Sequence, residues 1–239
     1  MPNKSLHIVH LYPKEMNIYG DTGNTLILRR RLEWRDINAQ VTLVGIGEDI
    51  PVDADIILGG GGQDAGQDKI QTDLHQKAET LHALSEKGVV MLMICGMYQL
   101  FGRSFTTSEG TVIKGIGIFP LETYAGQTRF IGNTLYSSRF GEIVGYENHS
   151  GVTTLDDTTL ALAEVLKGAG NNGNDKTEGC RVQNIFGLYS HGPLLSKNPH
   201  FADELLRIAL DRRYPGSTLE PLNDEAEQAA YKHSKQRSR

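Results

Sequence analysis

The sequence is poor in features that would point to a secreted, disulfide-stapled or membrane-spanning protein. Its 239 residues include only two cysteines, Cys95 and Cys180, and a chain of this length can bury a sizeable core without disulfides. No apolar run approaches the roughly 18 residues of a membrane span. Residues 1–5 lead into the first predicted strand without a secretory apolar segment. These absences predict a cytoplasmic chain that keeps its thiols reduced.

The sequence also lacks an excess of basic charge and any spacing suited to a metal site. Lys and Arg number 24 against 29 for Asp and Glu, a net charge of −5, which argues against nucleic acid as a partner. Cys180 has no nearby Cys or His that could share a metal, and we expect it to be a loop thiol. Acidic residues at 224–227 are followed by a basic stretch at 231–239. We therefore expect one domain over residues 1–215 and a tail at 216–239 that is partly disordered or partner-bound.

Strands and helices alternate over the first hundred residues. This order is typical of βαβ crossovers in a parallel sheet, whereas the Thr- and Gly-rich region 103–165 favours antiparallel strands and turns. The predicted fold class is α/β, with a mostly parallel central sheet flanked by helices. The predicted strands are 6–12, 41–46, 54–58, 89–94 and 184–189, and the predicted helices are 25–35, 68–87 and 201–213.

Cys95 lies at the junction between the apolar strand 89–94 and a predicted helix that begins near Met97. A strand-to-helix turn of this kind presents a side chain at the carboxyl edge of the sheet, as in the nucleophile elbow of serine hydrolases. The start of the helix should favour thiolate over thiol. The backbone N–H of Met97 could point at the oxygen of an attacked carbonyl. The alternative is a buried cysteine that acts only as a small hydrophobe.

A reactive thiol needs a base, and two of the eight histidines are suitably placed. His191 follows the predicted strand 184–189 and precedes a Gly-Pro turn, so it also lies at a sheet edge and could accept the thiol proton. His149 is the second candidate.

Four consecutive glycines, residues 59–62, end the strand 54–58. No Gly-Lys-Ser/Thr follows, which argues against a phosphate cradle. The run fits an oxyanion loop, because glycine lets backbone N–H groups approach a reacting carbonyl closely.

These elements, in this order, resemble the class I glutamine amidotransferases. Residues 94–100 (Ile-Cys-Gly-Met-Tyr-Gln-Leu) and 189–195 (Tyr-Ser-His-Gly-Pro-Leu-Leu) resemble the cobyric acid synthase-type branch of that class. Residues 17–24, 145–151 and 168–172 are similar to the glutaminase subunits of lipid II isoglutaminyl synthases, and this similarity covers nearly the whole chain.

The resemblance implies a role for each candidate site residue. It makes Cys95 the nucleophile and His191 the base, and it places Arg129 and Gln99 at the bound L-glutamine. An arginine fork suits an α-carboxylate because it pairs with both oxygens. The oxyanion hole would be formed by the backbone amides of Gly60, Gly61 and Met97.

The resemblance also implies a partner. Such glutaminases work with a Mur ligase-like (MurT-type) subunit that amidates the D-glutamate of lipid II, with ATP and magnesium on that subunit and no cofactor on this chain. Two departures from the class stand out: Met97 replaces a glycine, and Pro193 stands where an acid usually orients the histidine. Asp21, Glu147 or an acid of the partner could take that place, and the partner's acid is our preferred hypothesis.

Two other functions are compatible with the same architecture. One is a stand-alone cysteine hydrolase, such as a γ-glutamyl peptidase or a relative of the DJ-1/protease group. The contexts of Arg129 and His191 argue against it. The other is a catalytically silent binding subunit, which labelling of Cys95 by the glutamine mimic 6-diazo-5-oxo-norleucine would distinguish from an enzyme.

Overall fold

The computed structural model describes residues 4–237 and contains two sheets. The strands of the central sheet are β1 (Ser5–Leu11), β2 (Asn38–Val44), β3 (Ile56–Gly59), β4 (Val90–Ile94), β11 (Cys180–Val182) and β12 (Ile185–Leu188). Their order across the sheet is β11-β12-β4-β3-β1-β2, and all neighbours are parallel except the edge pair β11 and β12. The predicted mostly parallel sheet is confirmed.

Helices cover both faces of the central sheet, since its inner strands are buried along their whole length. The predicted helix 68–87 is in fact two helices that meet at Lys77, whose ammonium pairs with the buried carboxylate of Asp73. The helices are α1 (Thr22–Glu33), α2 (Asp64–Gln76), α3 (Ala78–Glu86), α4 (Gly96–Leu100), α5 (Leu194–Lys197), α6 (Pro199–Arg213) and α7 (Glu225–Gln236), with a 3-10 turn at Thr158–Leu160.

The second sheet is built on a long antiparallel hairpin, as the composition of residues 103–165 predicts. Its strands are β5 (Ser104–Thr106), β6 (Val112–Lys114), β7 (Leu121–Ser138), β8 (Gly141–Leu155), β9 (Ala163–Lys167) and β10 (Thr177–Glu178). The β7–β8 pairing is interrupted between Ala125 and Phe130. An isolated bridge between Tyr146 and His191 joins this sheet to the end of β12.

The segment after residue 215 contains α7, which lies against the rest of the chain. Tyr231 Oη donates to the carbonyl of Glu142 (3.2 Å), and Asp224 pairs with the buried guanidinium of Arg31 (2.7 Å). The division into one domain over residues 1–215 and a tail at 216–239 that is partly disordered or partner-bound stays a prediction.

The structure corrects the prediction made for Cys180. It lies on β11, is fully buried and is not the loop thiol that its spacing suggested. Burial raises the pKa of its thiol to about 12, and Cys180 packs within the hydrophobic core.

Candidate active site

The carboxyl ends of four parallel strands meet at one edge of the central sheet. Ile94 at the end of β4 lies beside Leu188 at the end of β12, and Gly59 at the end of β3 lies between Met93 of β4 and Leu11 of β1. The residues that follow these strands therefore converge. They include three features that the sequence singled out: Cys95, the glycine loop and His191.

Cys95 occupies a sharp turn between β4 and α4. Its backbone has φ 49° and ψ −104°, a conformation that a non-glycine residue adopts only when the surrounding structure imposes it. The Cys95 N–H donates to the carbonyl of Leu188 (2.9 Å), which fixes the turn to the end of β12. Gly96 leaves no room for a side chain, because a Cβ there would lie 2.7 Å from Gln67 Nε2. The predicted nucleophile elbow is thus present as geometry.

His191 and Cys95 both face Gly61. A Cβ atom at Gly61 would lie 2.9 Å from His191 Cε1 and 3.3 Å from Cys95 Cβ. The backbone N–H of His191 donates to the carbonyl of Tyr146 (2.8 Å). The ring of Tyr19 covers the imidazole, and the two ring centroids are 4.1 Å apart. Neither imidazole nitrogen has a hydrogen-bond partner among residues 4–237. The structure therefore brings the thiol and the imidazole together without a hydrogen bond between them.

Burial keeps both groups neutral in this resting arrangement. It raises the pKa of the Cys95 thiol to about 12, with the nearby Asp21 carboxylate adding to the shift and the Gly96 N–H and Arg129 opposing it. Burial likewise lowers the pKa of His191 to about 3, helped by His149 and Arg129. The start of the helix does favour thiolate, through the Gly96 N–H, but desolvation by burial outweighs that contribution in the resting state.

Two of the three predicted oxyanion donors, Gly61 and Met97, have hydrogen-bond partners within the chain. The Gly61 N–H donates to Asp21 Oδ2 (2.8 Å), and the Met97 N–H donates to the carbonyl of Gly60 (3.3 Å). The amide that favours the Cys95 thiolate is that of Gly96, the residue directly after it. The Met97 side chain is buried, and a Cβ at Gly59 would lie 2.9 Å from its Cγ. Its bulk therefore packs against β3.

A cleft of about 330 Å³ opens beside Cys95. Gln99 lies in its wall, with its amide oxygen accepting from Gln67 Nε2 (2.6 Å) and its amide nitrogen donating to Tyr189 Oη (3.1 Å). Arg129 lies where the β7–β8 pairing is interrupted, and its Nε donates to Asn148 Oδ1 (2.8 Å). Both residues predicted to contact L-glutamine therefore line the same cleft as Cys95.

The two candidate acids of this chain have recorded bonds to the backbone. Asp21 accepts the Gly61 N–H, and Glu147 Oε2 accepts the N–H groups of Ala169 (2.8 Å) and Gly170 (3.3 Å). No hydrogen bond joins either carboxylate to His191 in the part of the chain that the structure describes. Within that part no cluster of His, Cys, Asp or Glu could hold a metal ion either.

Sequence reasoning missed several residues of this site. Tyr19 covers His191, and Asn148 holds Arg129. Glu178 is buried on β10, where its Oε1 accepts the Tyr189 N–H (2.8 Å) two residues before His191. Burial raises the pKa of Glu178 to about 8. Tyr19 and Asn148 lie inside the motifs at 17–24 and 145–151, but no periodicity marks them.

His149, the second candidate base, also lines the cleft. Its ring stacks on Tyr189 at 3.7 Å, and its Nδ1–H donates to the carbonyl of Gly151 (3.0 Å). These contacts lock the ring, and burial lowers its pKa to about 4. The second sheet thus contributes one wall of the cleft, and the strand ends of the central sheet contribute the other.

An elbow cysteine, a facing histidine and a glycine loop at the carboxyl edge of a parallel sheet form the arrangement expected of a cysteine-dependent amidohydrolase. The chain belongs to the CobB/CobQ-like glutamine amidotransferase family, whose model matches residues 7–199. It is therefore a glutamine-hydrolysing enzyme that supplies ammonia.

Two bacterial proteins are similar to this chain over most of its length. The chain is 38% identical to "Lipid II isoglutaminyl synthase (glutamine-hydrolyzing) subunit GatD" of Staphylococcus aureus (strain N315), over 93% of this chain and 91% of that protein. It is 39% identical to the protein of the same name from Streptococcus pneumoniae (strain ATCC BAA-255 / R6), over 87% and 82%. The resemblance noted from the motifs is confirmed.

Solved structures agree on the fold. A crystal structure of a glutamine amidotransferase matches with a TM-score of 0.58 at 13% identity, over 84% of this chain and 98% of that chain. The predicted class I glutamine amidotransferase-like fold is confirmed.

Proposed function

We propose that this chain is the glutaminase subunit of a lipid II isoglutaminyl synthase. The observation that carries the proposal is its likeness to the two bacterial subunits of that name over about nine-tenths of its length. In this proposal a Mur ligase-like (MurT-type) subunit uses ATP and magnesium to activate the D-glutamate carboxylate of lipid II, and this chain needs no cofactor. The pair would work in the cytoplasm, which suits the two free cysteines.

The proposed reaction begins with Cys95 attacking the side-chain amide carbon of L-glutamine in the cleft. Because both groups are neutral at rest, the thiol proton passes to His191 as the carbon–sulfur bond forms. His191 then gives that proton to the departing ammonia, and the carbon–nitrogen bond breaks to leave a glutamyl thioester. Water activated by His191 releases glutamate and restores the thiol.

The two guanidinium contacts of Arg129 support its role in holding the substrate. Its Nε binds Asn148 and one terminal nitrogen lies 3.4 Å from Tyr19 Oη, so the guanidinium is fixed at the cleft beside Cys95. A guanidinium fixed in this way can pair with the α-carboxylate of glutamine. Gln99, held by Gln67 and Tyr189, would contact the same substrate.

The acid that orients His191 is proposed to come from the partner. Both imidazole nitrogens are buried without a hydrogen-bond partner within residues 4–237, a costly state that an incoming carboxylate would relieve. Glutamate release should therefore be slow for the isolated chain and faster with the partner bound. Full glutaminase activity without a partner would refute this part of the proposal.

Reconstitution of the two-subunit enzyme tests whether lipid II is the acceptor of the ammonia. The chain is co-expressed with a Mur ligase-like protein from the same organism, and amidated lipid II is measured with glutamine, ATP and magnesium. The matched control is Cys95→Ala, which should amidate lipid II only when ammonium is supplied. If the wild-type pair hydrolyses glutamine yet leaves lipid II unamidated, the acceptor assignment is wrong.

A further inference from the structure

The peptide unit between Gly60 and Gly61 is turned the wrong way for an oxyanion hole. Its carbonyl accepts the Met97 N–H at the start of α4 (3.3 Å), and its N–H donates to Asp21 Oδ2 (2.8 Å). The carbonyl and the N–H of a trans peptide point in opposite directions. The unit thus turns an acceptor, and not a donor, toward the helix that follows Cys95.

The side chain of Asp21 binds the Gly61 N–H and does not cap its own helix, α1. It is the N-cap residue of α1, where an aspartate usually accepts an N–H of the first helical turn, but its side chain makes no capping bond. Asp21 is 3% exposed, and its other carboxylate oxygen has no partner among the described residues. A second bond, from the Ile18 N–H to the carbonyl of Gly61 (3.1 Å), ties the same loop to Gly61.

The charge of Asp21 also opposes the reaction. A carboxylate beside the site disfavours the thiolate of Cys95 and the negative oxygen of a tetrahedral intermediate. Rotation of the peptide would turn the Gly61 N–H toward the elbow and remove the carbonyl. Glycines on both sides of the unit make such a rotation sterically feasible.

We propose that Asp21 is a positioning residue that holds the Gly60–Gly61 peptide in a non-donating orientation, so that the oxyanion hole forms only when the Asp21–Gly61 bond is released. The inference rests on the proposed attack of Cys95 on glutamine and concerns the regulation of that site. Loop 12–21 carries both Asp21 and the half-exposed Ile18, so a protein that docks on this loop could release the bond.

The test is steady-state glutamate release by the isolated chain carrying Asp21→Asn or Asp21→Ala. Asparagine keeps an acceptor for Gly61 but removes the charge, and alanine removes both. We expect kcat to rise in the order wild type, Asn, Ala, by roughly tenfold or more for alanine, the range of a lost charge-assisted hydrogen bond. KM should change little, because the oxyanion exists only in the transition state.

Asp68→Asn is the matched control, since Asp68 is an exposed residue of α2 whose carboxylate binds only Gln71 in the described structure. Its kcat should equal that of the wild type. Thermal unfolding should be similar for all variants, because Asp21 does not cap α1. If the alanine variant unfolds early, the asparagine variant, which keeps the shape of the side chain, decides the question.

A fall or no change in kcat for folded Asp21→Asn would overturn the inference, whereas the wild-type pair would still amidate lipid II if the proposed function holds. Conversely, faster hydrolysis by the variants together with a wild-type pair that leaves lipid II unamidated would support Asp21 as the restraint and refute the acceptor. Absence of glutamine hydrolysis by both the chain and the pair would overturn both proposals.

Discussion

Replacing Gly61 by alanine probes the meeting point of the nucleophile and the base. The added Cβ would lie 2.9 Å from His191 Cε1 and 3.3 Å from Cys95 Cβ. Carbon atoms in contact prefer about 3.5–4.0 Å, so the imidazole must shift by roughly 0.6–1 Å relative to the thiol. Gly61 does not have the positive φ that would add backbone strain, and the effect is therefore steric.

A misplacement of about 1 Å can cost roughly a hundredfold in rate, and we expect kcat for glutamate release to fall by about that factor. KM should change less, since Arg129 and Gln99 line the cleft beside Cys95 whereas Gly61 is not among its lining residues. Overpacking would lower the free energy of unfolding by about 1–3 kcal/mol, which thermal denaturation would detect without global unfolding.

Gly45→Ala is the control for Gly61→Ala. A Cβ at Gly45 would meet its nearest neighbour, Glu48 Oε2, at an ordinary 3.5 Å, and activity should match the wild type. If Gly61→Ala retained wild-type kcat in a folded protein, His191 could not be the base that acts beside Gly61.

Three further predictions follow from the contacts of the site. Arg129→Ala should raise KM for glutamine by tenfold or more with a smaller change in kcat, and Arg129→Lys should recover only part of the loss because a lysine cannot pair bidentately. The control is Arg207→Ala, at an exposed position of α6. An unchanged KM for Arg129→Ala would exclude the contact with the glutamine carboxylate. His191→Ala should lower kcat by about 10²–10⁴-fold, whereas His149→Ala, which removes a ring stacked on Tyr189, should lower kcat less. The reverse order in stopped assays would make His149 the base. Burial raises the pKa of Glu178 from 4.5 to about 8, so the folded state binds this proton more tightly and the free energy of unfolding of the wild type should fall as pH rises from about 4.5 to 8. Glu178→Gln, which keeps an acceptor for the Tyr189 N–H, should flatten that fall in urea titrations. Parallel pH profiles for the two proteins would contradict the raised pKa of Glu178.

Strand and helix periodicity predicts much of the site. The buried apolar strand before Cys95 and the short strand before His191 identify both residues as strand-end residues, and parallel pairing of β4 with β12 then makes them neighbours. The glycine run is placed beside them by the pairing of β3 with β4. These relations follow from local patterns together with the rules of parallel sheets.

Other features depend on contacts that no local pattern encodes. The Gly61 N–H bonds to Asp21, 40 residues away in sequence, and residue types do not reveal which way a glycine peptide faces. The wall formed by Asn148 and His149 depends on where the β7–β8 pairing shifts. The resting pKa of Cys95 is set by burial, which only the three-dimensional packing determines.

In the proposed reaction Cys95 carries the glutamyl group of L-glutamine as a thioester. This step is tested most directly by mixing the chain with isotopically labelled glutamine, quenching in acid within the first turnovers, and mapping the modified peptide by mass spectrometry. Cys95→Ala and Cys180→Ala are the paired variants, since both cysteines are buried and free. We expect a labelled glutamyl adduct on Cys95 that is retained in Cys180→Ala, whereas Cys95→Ala should lose both the adduct and glutamate release. Undiminished glutamate release by Cys95→Ala would contradict the proposed reaction.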